Sequence, residues 1–279
     1  FSESYQSYYQ YAKDHSDSAI SGQGFNLSSS LEDWVSIFDA DNGNNQEMIF
    51  EVQGSSLSGQ GTAVSNLFTP RNAGLSGSGF GGNNKLKPLF INNMIDKFDN
   101  RYQNSIITQY ETATRQFNIN PWSTGYIPTN LETGNTLGTL WQVWTAKYID
   151  TEATTEYTSR QNWHIIRLAD VYLMRAEASA EILSDPSAAN SDINILRSRV
   201  GMTEVDYSSM SMQDFREEIL RERAVELYME GHRFFDLTRF GVYDEYCRFV
   251  YGDTDGARQP EDYTWPIPII EVSTNSEID

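Results

Sequence analysis

The sequence predicts a mainly α-helical protein, in which amphipathic helices pack together beside an irregular, loop-rich face with a few short strands. Two halves of the chain differ in texture. Residues 161–241 carry apolar stripes at helical spacing, joined by short connections that favour antiparallel packing. Residues 1–160 are rich in Ser, Asn, Gly, Thr and aromatic residues. The helical half fits either a bundle or a solenoid of helix pairs.

The N-terminal half contains fewer regular elements. Apolar and aromatic residues recur at helical spacing over residues 5–20 and 86–98 and predict a helix in each. Residues 31–38 predict a short helix or an irregular turn. Residues 48–52 are β-rich and bounded by Asn, Gly and Ser, so they predict a strand. Residues 54–84 are rich in glycine and predict a long loop, which in a folded domain is usually functional or mobile.

The C-terminal half gives clearer start and stop signals. An apolar stripe over residues 165–183 predicts one helix, and a Ser-Asp-Pro sequence then opens a second helix that runs to about Arg199. Ser211 with Asp214 fits a capping pattern before a third apolar run. That third helix is predicted to stop at Gly231.

Composition excludes several classes of function. The 279 residues suit one large domain or two ordinary ones, and their net charge of −19 disfavours binding to nucleic acid or to anionic lipid. No run approaches the roughly 20 apolar residues that a membrane span requires. Cys247 is the only cysteine, which excludes an intrachain disulfide, and its aromatic neighbours predict a buried, inert thiol.

A row of glutamates marks the third predicted helix of the C-terminal half. Glu218, Glu222, Glu226 and Glu230 recur every four residues and share one face. Such a face could bind a metal or perform acid–base chemistry, but arginines interleave with these acids and fork onto carboxylates. An ion-pair lattice is therefore favoured. The residues predicted to form structural ion pairs are Arg221, Glu222, Arg223, Glu226, Glu230, Arg233 and Asp236.

Signals of catalysis are weak. The three histidines accompany no Gly-x-Ser-x-Gly elbow, and the sequence has neither a phosphate loop nor a dinucleotide-binding glycine motif. His232 follows a predicted helix end, where capping a carbonyl or pairing with an acid explains it. The sequence therefore predicts no catalytic residues, no metal ligands and no cofactor.

Aromatic residues in polar, irregular segments are more informative. Residues 117–144 predict an irregular region that contains Trp122, Tyr126 and Trp141 among several asparagines. A sugar ring has an apolar C–H face and a rim of hydroxyls, so it suits an aromatic surface edged by amide or guanidinium groups. The predicted ligand-binding residues are Trp122, Tyr126, Asn120, Arg71 and Trp141. For Trp141, and for Trp144 at the end of the same aromatic-rich region, packing onto the helices is the alternative.

Four ordered motifs in the C-terminal half resemble the SusD/RagB family of outer-membrane nutrient-binding lipoproteins. They are the helix signature at 166–178 (IRLADVYLMRAEA), the turn at 194–201 (NILRSRVG), the segment 221–239 (RERAVEL to EGHRFFDLTR) and the terminal WPIP at 265–268, with Lys147-Tyr148 matching upstream. Looser matches at 47–52 and 98–101 extend the resemblance over most of the chain. The motifs supply helix stripes, caps and ion pairs rather than a binding site.

The resemblance implies a fold and a setting. It implies tetratricopeptide-like helix pairs, a SusD-like α/α superhelix, that support an irregular ligand-binding face. It also implies a lipid-anchored protein on the extracellular face of the outer membrane that caps a TonB-dependent, SusC-like transporter. The chain is about half the usual family length, so we expect a single SusD-like domain over 1–279 that is a C-terminal fragment. Its expected parts are a last helix of the N-terminal portion (1–25), a loop-rich ligand face (26–160), and a helical scaffold with the C-terminal tail (161–279).

The predicted function is non-catalytic binding of a complex glycan at the cell surface for import. The expected partners are the glycan and the transporter, with no nucleic acid, and with membrane contact only through a lipid anchor absent from this chain. A peptide-binding import lid of RagB type is the main alternative. A glycoside hydrolase and a protein–protein adaptor are less favoured.

Overall fold

The computed structural model describes residues 4–22, 24–57, 59–75, 82–96, 98–112, 115–120, 125–130, 143–155, 157–250 and 267–275. The protein is mainly helical, as predicted. It divides into two compact units, Phe1–Arg233 and Phe234–Asp279. Within the described residues no helix is both long and apolar enough to span a membrane.

The first unit contains most of the regular structure. Its helices are α1 (Tyr5–Gly22), α2 (Leu31–Ser36), α3 (Val64–Phe68), α4 (Pro88–Met94), α5 (Asn100–Asn104), α6 (Leu168–Leu183), a 3₁₀ turn (Pro186–Ala189), α7 (Asn190–Ser198) and α8 (Met212–Glu226). The helix α9 (Arg233–Arg239) begins at the last residue of the first unit and otherwise belongs to the second. The strands of the first unit are β1 (Met48–Val52), β2 (Gln109–Glu111), β3 (Arg115–Asn120), β4 (Gly125–Asn130) and β5 (Trp163–Arg167). The second unit adds α10 (Tyr243–Glu245), a π-helical turn (Tyr246–Val250) and α11 (Ile269–Thr274).

Helix pairs form the scaffold. The helix α6 packs against α1 on one side and against α7 and α8 on others. Arg175 on α6 joins two of these neighbours, because its guanidinium lies 2.9 Å from Asp17 on α1 and 2.6 Å from Asp192 on α7. The predicted cap at Ser211 is confirmed, since its hydroxyl accepts the Asp214 backbone N–H at 3.1 Å.

The start of α6 differs from the prediction. The stripe over 165–183 was expected to be helical throughout, but residues Trp163–Arg167 form β5, which pairs antiparallel with β1. A short apolar run fits both the helical and the strand period, and the β-branched and aromatic residues of Trp163-His164-Ile165-Ile166 favour the strand. The predicted strand over 48–52 is confirmed as β1.

The N-terminal half also contains structure that the sequence did not predict. The expected loop over 54–84 includes α3, and the helix expected over 86–98 is the shorter α4. The expected irregular region after residue 117 begins with β3 and β4, which join β2 in a three-stranded antiparallel sheet. Its alternation of amide and apolar residues was the missed signal, hidden by the high Asn and Pro content.

The end of α8 is earlier than predicted. The helix was expected to stop at Gly231 but ends at Glu226, after which Met229 (φ 61°) and Gly231 (φ 93°) adopt left-handed conformations. The carbonyl groups at and just after the helix end accept hydrogen bonds from side chains of another segment, which stabilises this turn. Lys147 donates to the carbonyls of Glu226 and Tyr228 at 3.1 and 3.2 Å, and the Tyr148 hydroxyl donates to the Met229 carbonyl at 3.0 Å.

Candidate functional site

A buried group of charges lies at the centre of the first unit, and we call it the ionic frame. It holds five carboxylates and five cations, so its formal charges balance. Its members are Glu47, Asp99, Glu222, Glu226, Glu230, Arg101, Lys147, Arg167, Arg197 and Arg199. These residues come from six separate segments of the chain, which the frame therefore ties together.

Glu226 is the centre of the ionic frame. It is fully buried, and its carboxylate lies 3.0 Å from Arg101, 2.7 Å from Arg167 and 2.6 Å from Arg199. The indole N–H of Trp34 donates to it at 3.0 Å. Burial by itself would raise the pKa of Glu226, but the three guanidinium groups hold this pKa well below its usual range.

Lys147 and Glu230 form a second centre. Their charged groups lie 2.7 Å apart, and the Glu230 carboxylate also lies 2.7 Å from Arg167. Burial lowers the pKa of Lys147 to about 8 even though Glu230 opposes the shift. Burial would raise the pKa of Glu230, but Arg167 and Lys147 lower it to about 2. The ammonium group also lies 4.1 Å from the ring centroid of Tyr228, where a cation is favourable.

The predicted ion-pair residues occupy different environments. Glu222, Glu226 and Glu230 belong to the ionic frame, whereas Arg223 pairs with Asp170 at 2.8 Å. The other predicted residues make separate contacts outside the frame. Arg233 donates to the Leu220 carbonyl at 2.7 Å, Asp236 lies 3.0 Å from Arg239, and Arg221 is exposed, 3.5 Å from Glu218.

Of the ten residues of the ionic frame, sequence reasoning predicted only Glu222, Glu226 and Glu230. Glu47, Asp99 and Arg101 lie in the looser upstream matches, and Arg167 and Arg199 lie in the motifs read as helix and turn signatures. Local spacing on one helix could reveal the glutamates but not the arginines that reach them from other segments. Among the described residues, no group of three or more His, Cys, Asp or Glu could hold a metal ion.

The predicted ligand-binding residues are associated with the three-stranded sheet. Asn120 and Tyr126 lie at the ends of β3 and β4 that face each other across the connecting residues 121–124, because Asn120 pairs with Gly125 and Ile119 with Tyr126. Trp122 falls in this connection, and Trp141 falls in residues 131–142. Both tryptophans lie outside the described residues.

The register assigns the strand positions to two faces of this sheet. Paired positions share a face, and alternate positions along a strand switch between faces. One face holds the positions of Tyr110, Arg115, Phe117, Ile119, Tyr126, Pro128 and Asn130. The opposite face holds the positions of Gln109, Glu111, Gln116, Asn118, Asn120, Gly125, Ile127 and Thr129. Asn120 and Tyr126 therefore occupy opposite faces, close to the same connection.

One hydrophobic cluster anchors the first of these faces. It consists of Ile107, Tyr110 and Trp144, with Ala73 and Leu75 packed against it, and we call it the Trp144 cluster. Tyr110 is buried, whereas Gln109 and Glu111 on the other face are exposed. In β2, the face that includes Tyr110 therefore lies on the core, and the face that includes Gln109 and Glu111 lies in solvent.

The Trp144 cluster also fixes the loop that carries Arg71. Arg71 is exposed on a turn two residues before Ala73, which packs on the cluster. At the far end of the same loop, Gly82 (φ 71°) lies so close to Trp144 that an added Cβ would be 3.0 Å from the indole nitrogen. The loop that carries Arg71 and the strand β2 of the sheet therefore pack on the same cluster.

These features define a helical scaffold, held together by buried ion pairs, that supports a loop-and-hairpin face. The chain belongs to the SusD family, whose sequence model matches residues 2–279. SusD-like protein P25 of Formosa agariphila is 36% identical over 134 residues, which cover 46% of this chain and 25% of the relative. The starch-binding protein SusD of Bacteroides thetaiotaomicron is 34% identical over 117 residues, which cover 40% of this chain and 19% of the relative.

Solved structures share the fold. A laminarin-binding SusD-like protein matches with a TM-score of 0.65 at 24% identity, covering 96% of this chain and 57% of that one. Surface glycan-binding protein A of Bacteroides thetaiotaomicron, solved with laminarihexaose, matches with a TM-score of 0.67 at 19% identity, covering 97% and 58%. This chain therefore matches little more than half the length of these solved chains.

Proposed function

We propose that the protein binds a complex glycan at the cell surface without catalysing a reaction on it. The glycan would pass to a TonB-dependent, SusC-like transporter in the outer membrane. Family membership supports the setting, since relatives with the same fold carry the names starch-binding, laminarin-binding and glycan-binding.

One observation carries the location of the proposed site. The β3–β4 hairpin presents Asn120 and Tyr126 on either side of the connection that contains Trp122, and it is anchored on the same cluster as the Arg71 turn. Aromatic rings for the faces of sugars and amide groups for their hydroxyls are the residue types that glycan binding requires. We propose that Trp122, Tyr126, Asn120 and Arg71 contact the glycan and that Trp141 adds to the same surface.

The first experiment removes the ring of Trp122. Trp122→Ala is expected to weaken glycan binding by about five- to 150-fold, because loss of one stacked ring removes about 1–3 kcal/mol, and to leave the melting temperature unchanged. Binding is measured by calorimetry against the polysaccharide that a thermal-shift screen of glycans and peptides selects. Phe50→Ala is the matched control, since Phe50 is an exposed aromatic residue in the other sheet (56% exposed).

Three outcomes would contradict the proposal in different ways. A fall in both binding and melting temperature would mean that Trp122 belongs to the core. Oligopeptide binding with no glycan binding would favour the peptide-import alternative. Release of new reducing ends from the polysaccharide by the purified protein would establish a hydrolase.

A further inference from the structure

The charges of this protein are unevenly distributed along the sequence. The chain carries 39 acidic residues, yet residues 52–95 contain no Asp or Glu. The same stretch contains Arg71, Lys85 and Lys87, which are all exposed. We call these three residues the basic patch.

The basic patch also differs from other cations in its pairing. No carboxylate of the described residues lies within ion-pair distance of Arg71, Lys85 or Lys87. Most other described cations do have such a partner, even on the surface. Examples of exposed or half-exposed pairs are Lys13 with Asp17 at 2.7 Å, Arg160 with Asp41 at 2.5 Å, and Arg216 with Glu181 at 2.6 Å. In a protein with a net charge of −19, three exposed cations in one acid-free stretch with no carboxylate of the described residues at ion-pair distance indicate a surface open to an anion from outside.

The backbone around the buried Leu86 places Lys85 and Lys87 on the exposed side of their segment. Leu86 is buried, and its backbone N–H donates to the Val143 carbonyl at 2.8 Å. Lys85 and Lys87 flank Leu86 in this extended segment, so both lie on the opposite, exposed side. The Lys85 ammonium group lies 5.6 Å from the ring centroid of Trp144.

The third member reaches the same support from another direction. The turn that carries Arg71 is anchored through Ala73 and Leu75 on the Trp144 cluster, which also includes Tyr110 of β2. The basic patch therefore borders the base of the hairpin that carries the proposed glycan site. At physiological ionic strength the Debye length is about 8 Å, so this patch acts locally despite the acidic remainder of the chain.

We propose that the glycan taken by this face is anionic, with carboxylate or sulfate groups on its sugars that pair with Arg71, Lys85 and Lys87. This inference rests on the proposed function and specifies its ligand class. Sugar rings would contact the aromatic residues of the hairpin while the charged substituents reach the basic patch. Guanidinium and ammonium groups both bind carboxylates and sulfates, so the patch by itself accepts either anion.

The experiment compares one polysaccharide backbone in three forms. Binding of a neutral β-glucan, its carboxymethylated derivative and its sulfated derivative is measured by calorimetry in 0.15 M NaCl. The charged forms are expected to bind more tightly, and their relative affinities identify the preferred anion. Lys85→Gln/Lys87→Gln should weaken binding of the charged forms by about two- to fivefold per removed charge, leaving the neutral form and the melting temperature unaffected.

Lys13→Gln is the matched control, because Lys13 is a partly exposed lysine on α1 that pairs with Asp17. It should change none of the three affinities. Polyglutamate serves as an anion without sugar rings and should bind much more weakly than the charged glycans.

The result can separate this inference from the proposed function. Equal or tighter binding of the neutral glucan, unchanged in the double variant, would overturn the anionic ligand class and leave glycan binding in place. Equal binding of polyglutamate would also overturn it, since charge alone would then explain the affinity. If none of the three glucans and no glycan of the wider screen bound, the proposed function would fail and this inference with it.

Discussion

The ionic frame and the hairpin face of the same unit use charge in opposite ways. In the frame, acids and bases balance, are buried, and satisfy one another at 2.5–3.0 Å. On the face, three exposed cations stand in a stretch without acids, beside a hairpin whose positions are mainly amide, aromatic and apolar. The buried, paired charges of the frame hold segments together, whereas the exposed cations of the basic patch are available to an anionic ligand. The two regions therefore divide architecture from recognition.

The largest expected effect comes from breaking the ionic frame at its centre. Glu226→Gln keeps the shape of the side chain but leaves three guanidinium groups without their shared charge, so it should reduce the free energy of unfolding by about 3–5 kcal/mol. Glu218→Gln is the control on the same helix, because Glu218 is partly exposed and pairs with the exposed Arg221 at 3.5 Å, and it should change stability by about 1 kcal/mol or less. Urea denaturation of both variants measures the difference. Equal effects would mean that the frame is not what holds this unit together.

The protein should lose stability in mild acid, at a pH above that at which the carboxylates of the frame become protonated, because of one buried histidine. His164 is buried and faces Lys147, Arg167, Glu47 and Glu230, and burial lowers its pKa to about 4 from an ordinary value of 6.5. Because the unfolded chain takes up this proton near pH 6.5 and the native state resists it until about pH 4, stability should fall as pH decreases through this window. The loss between pH 6.5 and 4.5 should be about 2 kcal/mol.

His164→Gln should flatten that part of the curve of stability against pH, whatever its effect on stability at neutral pH. His15→Gln is the control, since His15 is exposed on α1. Below pH 4.5 both variants should lose stability as Glu230, whose pKa is about 2, becomes protonated in the unfolded state first. A curve that stays steep between pH 6.5 and 4.5 in His164→Gln would assign the acid sensitivity to another group.

The smallest expected effect tests how the Trp144 cluster supports the hairpin face. Gly74 and Gly82 flank the same loop with nearly equal φ values, 70° and 71°, but only Gly82 approaches Trp144. Gly74→Ala should cost about 1–2 kcal/mol for the left-handed backbone alone. Gly82→Ala should cost more, since its Cβ would also press on the indole. Thermal melts of the two variants give the difference, and identical values would show that the indole simply moves aside.

Much of the scaffold could be predicted because it is encoded locally. The stripe of α6, the cap at Ser211, the helix end near Arg199 and the strand β1 all follow from residues within one or two turns of each other. Elements decided by distant partners were harder to predict. The strand β5 requires β1, and the early end of α8 requires Lys147 and Tyr148 to reach its last carbonyls.

The candidate site shows the same division. Residue chemistry alone pointed to Trp122, Tyr126 and Asn120 as a group suited to sugars. Only the register of β3 and β4 showed that Asn120 and Tyr126 occupy opposite faces of one sheet. The roles of Trp144 and Lys85 depend on a contact between segments about 60 positions apart, which no local pattern records.

The sequence by itself therefore determined the family, the helical class and the kinds of residue available for binding, because periodicity, caps and motifs depend on neighbours along the chain. The tertiary structure alone decided which charges neutralise each other and which stay available. Pairing is a matter of distance in space: Glu47 meets Arg167 and Arg199 across more than a hundred residues of chain, while Arg71 and Lys85 meet no described carboxylate at all.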